Sequence, residues 1–299
     1  MPRKPAPLRS GDLIGVISPA AAVDESQLAA GIGVLEGAGF RVRLGPSTTK
    51  RAGYLAGSDR ERLTDLYTML RDPEVKAILP ARGGYGSGRL LPLLDLDIVR
   101  ASPKIFAGHS DISFLLNHFV QRADLVTFHG PMITNLPVQP HGATSLLAML
   151  SGERCGWYEV APEIIQPGTA EGPLAGGCLS VVVSALGTPY AVDTRGVLLF
   201  LEDVNEKPFR IDRMLTQLRQ ARALDDVAGV IFGEMSGCTA GEGERVSVRD
   251  VIAEAFVGAK YPVVFGFPSG HGAGAFTLPF GVRARLAGER LALLESPTL

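Results

Sequence analysis

The residue best placed in this sequence to act as a nucleophile is Ser110, within Lys104-Ile-Phe-Ala-Gly-His-Ser-Asp-Ile-Ser-Phe-Leu-Leu116. A short apolar run meets Gly108, then a polar His109-Ser110-Asp111 step, then helix-like patterning from Ile112. Strand, tight turn and helix is the setting that lifts a serine hydroxyl above a parallel sheet, between a base and backbone N–H groups. The G-x-S-x-G form of that motif is met at Gly108 and Ser110 and fails at its fifth position, Ile112. The same residues also read as a helix cap, because Ser and Asp are favoured N-caps. At this level Ser110 is a cap, a nucleophile, or both.

Serine chemistry requires a base and usually a carboxylate to orient it. Of five histidines, His109 is adjacent to Ser110 and cannot easily fold back onto Oγ, and His141 lies in a weakly patterned region. His118 is eight residues further along the same helix, roughly 12 Å away. His129 at a strand end and His271 in a glycine-rich loop remain equal candidates. For the carboxylate, Glu202 closes the run Val197-Leu-Leu-Phe-Leu201. It either orients a histidine, pairs with Arg210 or Arg213, or marks the surface end of a strand, since buried charges need partners.

Cofactor motifs are largely missing. Gly83 to Gly88 matches no register of G-x-G-x-x-G, and no P-loop pattern occurs. Gly270-His-Gly-Ala-Gly-Ala275 fits the G-x-G-x-x-A variant, but Phe276-Thr-Leu-Pro279 follows it instead of a helix, so no helix N-terminus is there to hold a pyrophosphate. H-E-x-x-H is absent and the histidines are scattered, which argues against a zinc hydrolase. We expect neither metal nor organic cofactor.

The elements that would position these residues alternate through the first half. Strands are expected at Leu13 to Ile17, Phe40 to Leu44, Val75 to Pro80, Lys104 to Gly108 and Leu125 to Phe128. Helices are expected after Asp24-Glu25, after the Ser58-to-Glu61 capping box with Leu63, Leu66 and Leu70 inward, and from Ile112 to about Arg122. Such alternation implies a parallel sheet whose ligands bind at the carboxyl ends of the strands. Ser18-Pro19, the Arg82-to-Gly88 loop, Gly108-to-Asp111 and His129-Gly-Pro131 all fall at that rim. A proline-rich stretch then precedes a second α+β half. There a helix is expected over Leu174 to Leu186, strands at Val197 to Leu201, Val227 to Phe232 and Val263 to Phe267, and helices around Ile211 to Leu218 and Val248 to Val257. Thr277 to Gly281 and Val282 to Leu294 read as a hairpin with Gly288-Glu at its turn. The domain expectation is 1–135 for an N-terminal α/β domain, 136–169 for a connection, and 170–299 for a smaller C-terminal α+β domain.

With 46% hydrophobic residues in 299, the chain can bury a substantial core. The balance of 29 basic against 31 acidic residues offers no broad cationic face for nucleic acid. Cys155, Cys178 and Cys238 are widely spaced with no CxxC pair, consistent with reduced structural thiols. The start of the chain lacks the apolar core of a secretory signal, and Gly172 to Val192 is broken by glycine and proline, unlike a membrane helix. A cytoplasmic protein with no membrane partner is expected.

Together, Gly11-Asp-Leu-Ile-Gly-Val-Ile-Ser-Pro19, Ala81-Arg-Gly-Gly-Tyr-Gly86, Gly108-His-Ser-Asp111, Phe128-His-Gly-Pro131, Leu201-Glu-Asp-Val-Asn-Glu-Lys-Pro208, Arg210-Ile-Asp-Arg-Met-Leu215 and Gly270-His-Gly272 resemble the LD-carboxypeptidase family of serine peptidases, which also holds microcin-immunity peptidases. The resemblance implies a triad drawn from both domains: Ser110 as nucleophile, Glu202 as orienting carboxylate and His271 as base. It implies oxyanion donors at the backbone of Asp111 and of Gly84 or Gly86, and Arg82 as a partner for a substrate carboxylate. His109 stands where the family often has an aromatic residue. The implied substrate is a muropeptide tetrapeptide losing its terminal D-alanine during peptidoglycan recycling, and the implied assembly is a homodimer. Two other readings are an immunity-type amidase cleaving peptidyl or acyl adenylates, and a non-catalytic two-domain ligand-binding protein. Immunity-type members carry an aromatic adenine pocket, and this chain has a single tryptophan, Trp157.

Overall fold

The computed structural model describes residues 2–153, 157–158, 160–241, 245–272 and 276–299. Two units divide the chain: Met1–Arg154 with Ala273–Gly281 and Ser296–Leu299, and Cys155–Gly272 with Val282–Glu295.

In the first unit the chain runs β1 (Leu13–Ile17), α1 (Glu25–Gly37), β2 (Arg41–Leu44), α2 (Asp59–Arg71), β3 (Val75–Pro80), α3 (Leu96–Ala101), β4 (Ile105–Gly108), α4 (Ser113–Ala123), β5 (Thr127–His129) and α5 (Pro140–Leu150). Strands β1 to β5 pair in parallel. The near-continuous apolar runs of β1, β3 and β4 are what strands covered on both faces require. Asp24 caps α1 by accepting from the Ser26 and Gln27 N–H groups, and Ser58 forms the expected capping box with Glu61.

The second unit contains β6 (Trp157–Tyr158), β7 (Glu163–Gln166), β8 (Thr169–Cys178), α6 (Leu179–Ser184), β9 (Leu198–Val204), α7 (Pro208–Gln220), β10 (Gly229–Ser236), α8 (Val248–Ala255) and β11 (Val263–Phe265). The chain then contributes β12 (Leu278–Phe280) to the first unit before β13 (Arg283–Ala287) and β14 (Arg290–Leu293) complete the second. The eight strands of this unit run in the order β6-β14-β13-β8-β9-β10-β11-β7. Of these, β8, β9, β10 and β11 are mutually parallel, and the flanking pairs are antiparallel. One face of β9 and β10 packs Leu199, Leu201, Val230 and Phe232 against Ile211, Leu215 and Leu218 of α7. Each such side chain contributes about 1.5–3 kcal/mol by leaving water.

Several expectations are revised. The stretch from Leu174 to Cys178 is strand, and only Leu179–Ser184 is helical. Glycine costs a helix interior about 1 kcal/mol per residue, and Gly176 and Gly177 instead pair with Phe200 and Leu201 of β9. Residues near 280 do not join the terminal hairpin; β12 lies antiparallel to β5 at the edge of the first sheet. An edge accommodates Pro279, which has no N–H to give. The fifth strand begins two residues later than expected, while the short apolar helix that the sequence suggests near Leu146 to Leu150 is present as the longer α5, with Leu146, Met149 and Leu150 buried. On α2 the buried face includes Arg62 and Asp65, and Leu63 is only half-buried.

Candidate active site

At the end of β4 the chain turns sharply. His109 is extended, Ser110 has φ +59°, and a 3-10 turn over Ser110–Ile112 leads into α4. A β-carbon on Gly108 would lie 3.0 Å from Ile112 Cγ2, so the non-glycine fifth position is filled by a side chain packed on the motif's own glycine. The cap reading of Ser110 is not met. Caps have extended backbone, Ser110 is left-handed, and neither the 3-10 turn nor α4 has a side-chain cap bond. Asp111 points elsewhere as well: its carboxylate accepts the Ser87 N–H at 2.8 Å, while Ser87 Oγ donates to Asp111 O at 2.6 Å. Burial raises the Asp111 pKa, against the lowering effect of the Ser87 and Gly86 N–H groups. A left-handed L-residue costs roughly 1–2 kcal/mol, a strain that gathers at functional turns.

The glycine-rich loop lies against this turn. A β-carbon at Gly83 would be 3.0 Å from Ser110 Cβ and 3.3 Å from both Ser110 Oγ and Asp111 N, so only glycine permits the approach. Of the two candidate donors, Gly86 turns its N–H toward the Asp111 carboxylate, whereas Gly84 is exposed. Fully buried Arg62 ties two rim loops together, donating to Pro19 O and, at 2.9 Å, to Gly86 O, and it also pairs with Asp59. Arg82 has one long contact, 3.5 Å from Nη1 to Ala22 O, and pairs with no carboxylate among the described residues.

In the second unit Glu202 lies within β9 and is completely buried, so the surface-end reading is not met. Arg210 reaches Glu206 at 3.4 Å instead, and both Arg210 and Arg213 lie over Phe209. His271 Nδ1 is 2.6 Å from Glu202 Oε2. A carboxylate can only accept, so Nδ1 carries the proton and the neutral ring presents Nε2 as its acceptor. Burial works to lower the His271 pKa, but the hydrogen bond to Glu202 and the charges of Glu202, Asp203 and Glu234 bring it above its ordinary value.

His271 and His129 stand in different surroundings. His129 is fully buried in β5, with its ring stacked 5.5 Å from Phe280, whereas His271 sits on the Glu202 carboxylate. His109 is buried too, with Nδ1 3.0 Å from Gly130 O. Burial lowers the His118 pKa on α4.

Sequence reasoning missed Arg62, Asp111's side-chain role and Glu234. Arg62 and Glu234 lie on elements whose apolar pattern says nothing of loops that pack there from elsewhere in the chain. No group of three or more His, Cys, Asp or Glu side chains among the described residues is arranged to hold a metal ion, and no described helix is long and apolar enough to cross a membrane. Cys178 and Cys238 are buried cysteines, with Cys178 Sγ 3.2 Å from Ser180 Oγ. Cys155, the side chain of Trp157 and the end of the Gly270-to-Ala275 motif lie outside the described residues.

Comparison with known proteins matches both halves of the chain. Residues 14–130 match the LD-carboxypeptidase N-terminal domain and residues 171–286 the LD-carboxypeptidase C-terminal domain. The chain is 40% identical to the probable murein peptide carboxypeptidase of Bacillus subtilis, over 98% of this chain and 94% of that one. It is 29% identical to the microcin C7 self-immunity protein MccF of Escherichia coli, over 93% and 91% of the two chains. The crystal structure of muramoyltetrapeptide carboxypeptidase from Oxalobacter formigenes superposes with a TM-score of 0.87 and 30% identity, covering 96% of this chain and all of that one. With both halves matched in order and the similarity running nearly end to end, this chain belongs to the LD-carboxypeptidase family of peptidases.

Proposed function

We propose that this chain is a serine-type LD-carboxypeptidase that releases the terminal D-alanine from muropeptide tetrapeptides. Ser110 is the nucleophile, His271 its general base and Glu202 the carboxylate that orients and charges the base. His271 Nε2 takes the Ser110 proton as Oγ attacks the carbonyl of the L-configured centre. The oxyanion is held by the Asp111 N–H and by a loop N–H, with Gly84 favoured because the Gly86 N–H faces the Asp111 carboxylate. His271 then delivers its proton to the departing D-alanine amine, and water, activated by the same imidazole, hydrolyses the acyl-enzyme. Arg82, with one long contact to a loop carbonyl, is suited to pair with the substrate's terminal carboxylate. On that assignment, Arg82→Ala raises KM by about 10-fold or more; an unchanged KM rejects it. The family reading extends to a homodimer acting in the cytoplasm.

The observation that carries the serine assignment is the backbone at Ser110: left-handed, uncapping and packed against Gly83. A cap would need none of this. The test is release of D-alanine from a muropeptide tetrapeptide by the intact chain, with Ser110→Ala and a chelator in parallel. No release by the intact chain removes the carboxypeptidase reading, and chelator-sensitive release removes the serine mechanism. Turnover of an aminoacyl sulfamoyl adenylate in place of the tetrapeptide would move the chain to the immunity-type branch. Unchanged ligand binding with no turnover of either would leave a binding protein.

A further inference from the structure

The His271 turn is held from two sides, and Glu202 is the one that touches ring Nδ1. The second hold is Glu234 on β10. Its main-chain N–H donates to Ser269 O at 2.9 Å, and its side-chain Oε2 accepts the Gly272 N–H at 2.7 Å. One residue therefore grips both ends of the four-residue turn that carries the imidazole. The fit is close: a β-carbon at Gly272 would fall 2.1 Å from Glu234 Oε1, and one at Gly270 would fall 2.9 Å from Glu202 Oε2. Any side chain at either glycine would push the turn off its carboxylate.

We infer that Glu234 is a positioning residue for His271, setting the place of the base through the Gly272 N–H. This rests on His271 being the base of the proposed reaction. The groups facing the imidazole are Glu202 and Asp203 from β9 and Glu234 from β10, with Cys178 of β8 paired beside Glu202. Burial raises the Glu234 pKa, as does the charge of Glu202, while the Gly272 N–H and His271 lower it. Glu234 in turn is one of the charges that raise His271.

Three variants separate holding from charge: Glu234→Gln, Glu234→Met and Glu234→Ala. Gln retains an oxygen that can accept the Gly272 N–H, Met keeps the length without an acceptor, and Ala removes both. In the intact chain we expect Met and Ala to lose about 100-fold in kcat, the scale of a 1 Å misplacement, with KM within about 3-fold. Gln should stay within about 10-fold of the parent, and its kcat/KM acid limb should move to lower pH because one charge raising His271 is gone. Titration of the His271 ring by NMR, in a Ser110→Ala background as well, gives the same downward shift without needing turnover. That readout keeps the inference testable if the peptidase reading fails, or if the Ala variant does not fold. Met within 2-fold of the parent in kcat, Gln as damaged as Met, or a His271 titration indifferent to Glu234→Gln would each overturn it.

Discussion

Replacing Ser110 by glycine and by alanine separates two properties that the native residue combines. Both variants lack Oγ, so both should lose about 10⁶ in kcat for D-alanine release if Ser110 is the nucleophile. Their stabilities should differ. The backbone at Ser110 sits at φ +59°, where an L-residue costs roughly 1–2 kcal/mol and glycine almost nothing. Glycine gives back about 0.5–1 kcal/mol through the greater freedom of the unfolded chain. The glycine variant should therefore be the more stable of the two by about 1 kcal/mol, or about 2–4 °C in melting temperature for a unit of this size. Scanning calorimetry of the two inactive proteins in one buffer measures the difference without interference from turnover. A glycine variant melting at or below the alanine variant would refute the strain argument. D-alanine release by either would refute the nucleophile.

Because His271 must be neutral to accept a proton, and its pKa is raised above 6.5, kcat/KM should fall as pH drops through a value above 6.5. Glu202→Gln should move that limb downward and reduce kcat by about 10⁴, as measured by a pH–rate profile. Gly83→Ala should press on Ser110 and the Asp111 N–H, reducing kcat by about 10–100-fold and destabilising the chain by about 1–3 kcal/mol in urea unfolding. Arg62→Met should destabilise by about 2–4 kcal/mol in urea unfolding, because Pro19 O and Gly86 O lose their buried donor; a loss below about 1 kcal/mol would show those carbonyls finding other partners.

Much of the first unit is readable from local pattern. Its parallel strands are apolar runs, its helices α1 and α2 start at the expected caps, and the rim loops follow from where such strands end. The glycine run before α6 was misread as helix, because small residues carry little periodicity and the decision lay with pairing to β9. The return of β12 to the first sheet carries no local mark either; it exists because β5 offers an edge.

By itself the sequence determined that Ser110 follows a strand at a tight turn, that Glu202 ends an apolar run and that His271 sits among glycines, because period and composition are local properties. It could not choose between a capping and a strained serine, since the choice depends on where Asp111 finds its donors, and those lie on a loop 24 residues earlier. Nor could it choose between His129 and His271, since 69 residues separate His271 from Glu202. Only the tertiary structure stacks one ring on Phe280 and sets the other on a buried carboxylate. A pKa depends on such neighbours in space, and neighbours in space are what a linear pattern does not encode.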